Sequence, residues 1–214
     1  MKLFINMKAY DESTGPDAVK LINLIEREFG VDDRIIIVMN PLDSMITTTL
    51  KKFIQNAEPL APGPFTGHIP IPILAKYGYS GVMLNHSEFK LDHKTIEESI
   101  EMAKELHLNT LVCAEDLKEL VTISRYAPDM IAYEPPELIG GEISVSTARP
   151  EVISEASHIL MDSGIELVVG AGIKNKRDVT ISRQLGAQGV LVSSGVIKSK
   201  EPIKVIGEML EEVS

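Results

Sequence analysis

The 214-residue chain is 44% hydrophobic and 24% charged, the composition of an ordinary globular protein able to bury a large core. Its 31 acidic residues outweigh 21 basic ones to give a formal charge of −10, and no Lys/Arg stripe offsets it, which argues against a nucleic acid or an anionic membrane as partner. A single cysteine, Cys113, cannot form an intrachain disulfide and suits a reducing cytoplasm, while the opening MKLFINMKAY sets polar Asn6 and Lys8 where a signal peptide needs an apolar run and no apolar stretch approaches a membrane span, so an intracellular, unanchored protein is expected.

In chain order, short apolar runs recur at 3–5, 35–39, 53–54, 81–84, 110–113, 130–133, 167–169 and 190–192. They are continuous rather than alternating, as suits parallel strands covered on both faces. Segments of helical period separate them: Ala18, Ile22, Ile25 and Phe29 in the first, Ile96, Ile100 and Ala103 in the fourth, Ile206, Met209 and Val213 in the last. Pro202 stands where a first helical turn tolerates proline, and Gly30, Gly164 and Gly186 stand where helices should stop. The third helix, near 68–76, is interrupted by proline. No Ser/Gly/Pro-rich linker divides the chain. Eight strand and helix units in alternation predict one parallel (β/α)8 barrel over residues 1–214. An open doubly wound sheet is the alternative, although no G-x-G-x-x-G follows any strand.

In such a barrel the functional residues lie where strands end and loops begin at the C-terminal face. The polar groups at those places are Asn6 and Lys8 after strand one, Asn85, His86, Ser87 and Glu88 after strand four, Glu134 after strand six, Gly170, Ala171 and Gly172 after strand seven, and Ser193, Ser194 and Gly195 after strand eight. Each alone has an ordinary explanation, as a solvated carboxylate, a helix cap or a turn. His68, His93, His107 and His158 show no metal-ligand spacing, and neither metal nor cofactor is expected.

Taken together, N-x-K at 6–8, TGHI at 66–69, LNHSE at 84–88, YEPPELIG at 133–140, GAGI at 170–173 and GVLVSSGV at 189–196 resemble the triosephosphate isomerase family in its short archaeal form. The ordered match spans 3–198. The resemblance implies a TIM barrel that interconverts dihydroxyacetone phosphate and glyceraldehyde 3-phosphate, in glycolysis and gluconeogenesis, without a cofactor. It also implies roles. Glu134 is the base that takes a proton from the carbon beside the carbonyl, and His86, at a helix N-terminus, is the neutral electrophile facing the enediolate. That pairing is the family's established one and not a deduction from this chain. Lys8 stabilises negative charge on substrate oxygens, Asn6 orients them, and Glu88 holds the lysine ammonium. Gly172, Ser193 and Ser194 bind the phosphate through backbone N–H groups, joined from above by Ile139 and Gly140.

By the same resemblance YEPPELIGG is a lid, with Pro135 and Pro136 limiting the hinge beside the base, Gly140 and Gly141 approaching phosphate, and 144–146 as the second hinge. Relatives of this type typically carry GTG at the lid tip, where this chain has Gly140, Gly141 and Glu142. The loop after strand two is short, which predicts a shortened or missing second helix. LAPGPFTGHI at 60–69 is similar to the family's protruding loop, which enters a partner subunit, and implies a homo-oligomer formed through Phe65 and Thr66. Two other readings fit less well: a Schiff-base aldolase, disfavoured because Lys8 comes so early and is paired with Asn6, and a phosphorylated-ligand binding module without turnover, disfavoured by the presence of both Glu134 and His86.

Overall fold

Eight parallel strands close on themselves in sequence order, with the first bonded to the second on one side and to the eighth on the other. The computed structural model describes residues 1–139 and 144–212. Of the residues singled out above, Gly140, Gly141, Glu142 and Val213 lie outside those described. The strands are β1 (Lys2–Asn6), β2 (Ile35–Met39), β3 (Lys51–Ile54), β4 (Gly81–Leu84), β5 (Asn109–Ala114), β6 (Met130–Tyr133), β7 (Glu166–Val169) and β8 (Gly189–Val192). Around them run α1 (Gly15–Phe29), α2 (His93–Glu105), α3 (Leu117–Ser124), α4 (Val145–Ala148), α5 (Pro150–Leu160), α6 (Lys176–Gln184), α7 (Ser194–Ile197) and α8 (Pro202–Glu212). The expected (β/α)8 barrel is therefore the fold.

Successive residues of a strand point to opposite faces, and both faces here are dry. One parity, Phe4, Val38, Phe53, Met83, Leu111, Cys113, Ala132, Val168 and Leu191 among others, fills the barrel interior. The other, including Leu3, Ile5, Ile37, Leu84, Val112, Ile131 and Val190, packs against the helices. This double burial is why the strands read as continuous apolar runs. The helices answer with single apolar stripes, such as Ala18, Leu21, Ile22 and Ile25 on α1 and Ile96, Ile100 and Ala103 on α2. Gly30 ends α1 with φ +64 and donates its N–H to the Glu26 carbonyl, the conformation for which glycine carries no Cβ penalty.

The second unit is as short as the sequence predicts. Between β2 and β3 the described chain forms only the turn Pro41–Asp43, capped by the Asn40 side chain, which accepts the Leu42 N–H. In the third unit the expected helix is a tight 3₁₀ segment, Ile71–Tyr77, with Pro70 as its N-cap and Pro72 in its first turn. One expectation is corrected. His86 does not begin a helix: α2 starts at His93, capped by the Asp92 carboxylate on the Thr95 N–H, and His86 sits in a turn whose Phe89 N–H donates to the His86 carbonyl.

Candidate active site

The inward parity of the strands continues past their ends. Two residues beyond Phe4, Phe53, Ala132, Val168 and Leu191 come Asn6, Gln55, Glu134, Gly170 and Ser193, so the register that fills the core with apolar side chains delivers polar groups to its mouth. A pocket opens there, lined by Asn6, Lys8, His86, Glu134, Ile139, Gly172, Ser193 and Ser194, together with Tyr10, Ala171, Ile173, Leu191 and Val192. Of the residues to which the resemblance gives a catalytic or substrate-binding role, all within the described chain except Glu88 line it.

Glu134 is 6% exposed. Among the described residues its Oε2 is buried with no hydrogen-bond partner, and Nε2 of His86 stands 3.5 Å away. Burial raises the Glu134 pKa above the ordinary carboxylate value, because an ionised carboxyl loses its hydration there. Attraction to His86, the Cys113 thiol, Lys8 and the Ala171 N–H opposes that rise in part. Cys113, on β5, is itself enclosed, and burial followed by the nearby Glu134 charge pushes its thiol well up, which makes it an inert donor to the carboxylate rather than a nucleophile. Space for the carboxylate comes from Gly170: a Cβ there would overlap Oε1, Cγ and Cδ of Glu134.

His86 is 5% exposed, and its Nδ1 accepts the backbone N–H of Glu88 at 3.1 Å. An acceptor at Nδ1 leaves the ring proton on Nε2, the atom that faces Glu134 and the pocket. The local turn thus supplies what a helix N-terminus was expected to supply. Asn85 makes that turn. It is buried, adopts φ +59, donates to the Cys113 carbonyl and to Glu119, and accepts the Leu91 N–H.

Lys8 adopts φ +51, sparsely populated for a residue with a Cβ. Three groups hold it. Asn6 Oδ1 accepts the Lys8 N–H at 3.1 Å, while Gln55 and Asn40 donate to the Lys8 carbonyl at 3.3 and 3.4 Å. Gln55 also donates to Asn6 Oδ1 at 3.1 Å, fixing the amide of a residue 3% exposed. At the far end of the side chain, Nζ meets Glu88 Oε1 at 2.6 Å. Gln55 was not singled out in the sequence, although it stands two residues past an inward Phe53, the same offset that marks Asn6 and Glu134.

Across the pocket, Ala171 and Gly172 have φ +70 and +71, and α7 begins at Ser194, so its first N–H groups have no acceptor within the helix. The Ser193 hydroxyl donates to the Asn6 carbonyl at 2.8 Å, tying the last loop to the first. Gly195 lets α7 approach the preceding loop; a Cβ would lie 2.8 Å from the Ile173 carbonyl oxygen and 2.9 Å from Lys174 Cα. Such a wall of backbone N–H groups suits an anion even on a protein of charge −10. Among the described residues, no cluster of His, Cys, Asp or Glu has the arrangement of a metal site, and no helix is long and apolar enough to cross a membrane.

The family model for triosephosphate isomerase matches residues 1–209. A triosephosphate isomerase of Thermoplasma volcanium is 40% identical over 212 residues, covering 98% of this chain and 99% of the relative. Those of Saccharolobus solfataricus and Methanosarcina acetivorans are 37% and 31% identical, covering 97% and 99% of this chain and 94% and 98% of their own lengths. With near-complete coverage in both directions, and a closed eight-stranded barrel carrying a carboxylate and an imidazole at its mouth, the chain belongs to the triosephosphate isomerase family.

Proposed function

We propose that this isomerase, which by family interconverts dihydroxyacetone phosphate and glyceraldehyde 3-phosphate, works by proton transfer through an enediolate with Glu134 as the base and His86 as the electrophile. The observation that carries the reading is the enclosed pair: Glu134 Oε2 with no donor among the described residues, 3.5 Å from a His86 nitrogen that carries a proton. An unsolvated carboxylate raised above its usual pKa is a better base than an exposed one. It takes the proton from the carbon beside the carbonyl and returns one to its neighbour. The Nε2–H donates to the oxygen on which charge develops, and the Lys8 ammonium faces the same oxygens.

The phosphate lies against Gly172, Ser193 and Ser194, with Ile139 above it. Binding energy from that remote group orients the reacting carbons. The enzyme is placed in the cytoplasm, consistent with its single buried cysteine. It acts as a homo-oligomer, in which the loop bearing Phe65 and Thr66 enters the partner. Phe65 is 41% exposed and lies edge-on to His68. A second groove beside Lys8, lined by Gln55, Met83, Glu88 and the exposed Phe89, has the position and apolar rim to receive such a tip.

The test is coupled turnover of glyceraldehyde 3-phosphate by the parent and by a folded Glu134→Gln variant. Rapid turnover in the parent and a loss of roughly three or more orders of magnitude in the variant is the expected result. A variant that keeps parental turnover would remove Glu134 from the mechanism.

A further inference from the structure

One buried carboxylate that the mechanism above does not use joins separate chain segments. Asp178, at the third position of α6, is 6% exposed and fully engaged. Its Oδ1 accepts the Ser144 hydroxyl at 2.6 Å, and its Oδ2 accepts the backbone N–H groups of Lys174 at 2.9 Å and Asn175 at 3.3 Å. Ser144, 4% exposed, leads into α4, and the neighbouring Val145 N–H donates to the Ala171 carbonyl at 3.1 Å. One carboxylate thus joins two segments that meet behind the pocket: the chain returning from the Glu134 loop and the turn 170–175 that carries Gly172.

Helix capping accounts for only part of this. Asn175 already caps α6, accepting the Asp178 N–H, and the Asn175 N–H that Asp178 accepts completes that capping box. The bonds to Ser144 and to Lys174 reach outside the helix and do nothing for its first turn. A carboxylate with three donors, two of them within 2.9 Å, is a directional anchor, and such an anchor under a loop holds the loop's N–H groups in one geometry.

We propose that Asp178 is a positioning residue for the phosphate end of the site, holding Gly172 and the returning chain at Ser144 in the register that binds the dianion. The inference rests on the reading that Gly172, Ser193 and Ser194 bind the phosphate. Its consequence is selective. Loosening the anchor degrades recognition of the phosphate and leaves the Glu134 and His86 pair, which Asp178 does not touch, in place.

The experiment compares a substrate with phosphate and one without. For the parent and Asp178→Ala, Asp178→Asn, Ser144→Ala and Gly172→Val, turnover of glyceraldehyde 3-phosphate, inhibition by phosphoglycolate, and deuterium exchange into unphosphorylated glyceraldehyde are measured, with thermal melts to confirm folding. Asp178→Ala is expected to weaken phosphoglycolate and to lower kcat/KM for the phosphorylated substrate by ~10- to 100-fold, mainly through KM, while exchange into glyceraldehyde changes by less than about threefold. Asp178→Asn recovers most of the loss, because its amide oxygen keeps the two backbone donors and the Ser144 hydroxyl can turn to accept from the amide NH₂. Ser144→Ala, which deletes one hydroxyl, shows a smaller loss of the same kind and carries the test if Asp178→Ala does not fold.

Equal losses on both substrates, or none on either, would overturn the proposal. Gly172→Val separates it from the reading beneath it. If that variant leaves phosphoglycolate binding unchanged, the phosphate assignment fails and the proposal falls with it. If it abolishes binding while Asp178→Ala and Ser144→Ala do not weaken it, the assignment stands and Asp178 has no positioning role.

Discussion

Glu134 Oε2 and His86 Nε2 face each other at 3.5 Å with side chains that are 7% and 6% exposed. A carboxyl so enclosed is costly to ionise, and the cost has a sign that can be measured. With its folded pKa raised by burial, Glu134 is neutral in both states at low pH and costs nothing there. As pH rises above the carboxyl's unfolded value, the unfolded chain loses its proton first, and stability falls until Glu134 ionises in the fold. Glu134→Gln should therefore melt at a higher temperature than the parent at pH 7, with the advantage vanishing near pH 4, while turnover is lost. Calorimetric scans across that range check it; a variant less stable than the parent at every pH would show that the carboxylate is not held at a cost.

Space for the Glu134 carboxylate is set by a neighbouring glycine. A methyl group on Gly170 would overlap Glu134 Oε1, so Gly170→Ala must move the carboxylate or the end of β7. Gly170 keeps its backbone bond to the Tyr133 carbonyl in either case, and the barrel should still fold. The expected outcome is a fall in kcat of about 100-fold, the scale of an ångström of misplacement at a reacting atom, with KM for the phosphorylated substrate changed much less. Steady-state kinetics on the two proteins decide it.

The eight strands were legible because both of their faces are buried, and the short second unit was legible because too few residues lie between β2 and β3 for a helix and its turns. Asn6, Lys8, His86 and Glu134 were legible as motif residues, and all four line the pocket. What could not be read depends on distances between chain segments. Gln55 shares the offset of Asn6 and Glu134 but belongs to no quoted motif, and its bonds to Asn6 and Lys8 show what it does in the site. Asp178 looks like a helix-start carboxylate, and its bond to a residue 34 positions away is invisible in one dimension. The helix expected at His86 failed for a local reason: Asn85 takes up a left-handed turn and sends its side chain to Cys113 and Glu119, so the chain reaches α2 only at His93.

Glu88 reaches the Lys8 ammonium at 2.6 Å, yet its own side chain is 56% exposed. An ion pair with one partner so open contributes little to stability. Its effect should appear in where the ammonium sits. Glu88→Gln is expected to leave the melting temperature within about 4 °C of the parent, since an exposed pair is worth roughly 0–1 kcal/mol, while lowering kcat/KM by about tenfold. Lys8→Ala, which removes the charge itself, should cost on the order of 100-fold or more. A large drop in melting temperature for Glu88→Gln with unchanged kinetics would reverse the assignment.

The shortened second unit leaves carbonyl groups that a full helix would have bonded, and a lysine supplies their donor. Lys52, 6% exposed on β3, extends its Nζ to the carbonyl oxygens of Ser44 at 3.3 Å and Ile46 at 3.1 Å and lies 4.8 Å from the centre of the Tyr79 ring. Burial lowers the Lys52 pKa, so the site holds its ammonium against a desolvation cost that the two carbonyls and the ring face offset. Lys52→Met keeps the apolar stem and removes the donors, stranding two carbonyls in a partly dry setting. Each such loss costs ~1–3 kcal/mol, which for a chain of this length lowers the melting temperature by several degrees. Because the Lys52 ammonium, among the described residues, bonds only the stretch between β2 and β3 and does not line the pocket, kcat and KM at a temperature where both proteins are folded should be unchanged. A variant as stable as the parent would mean that those carbonyls are satisfied by water, and that the missing helix needs no substitute.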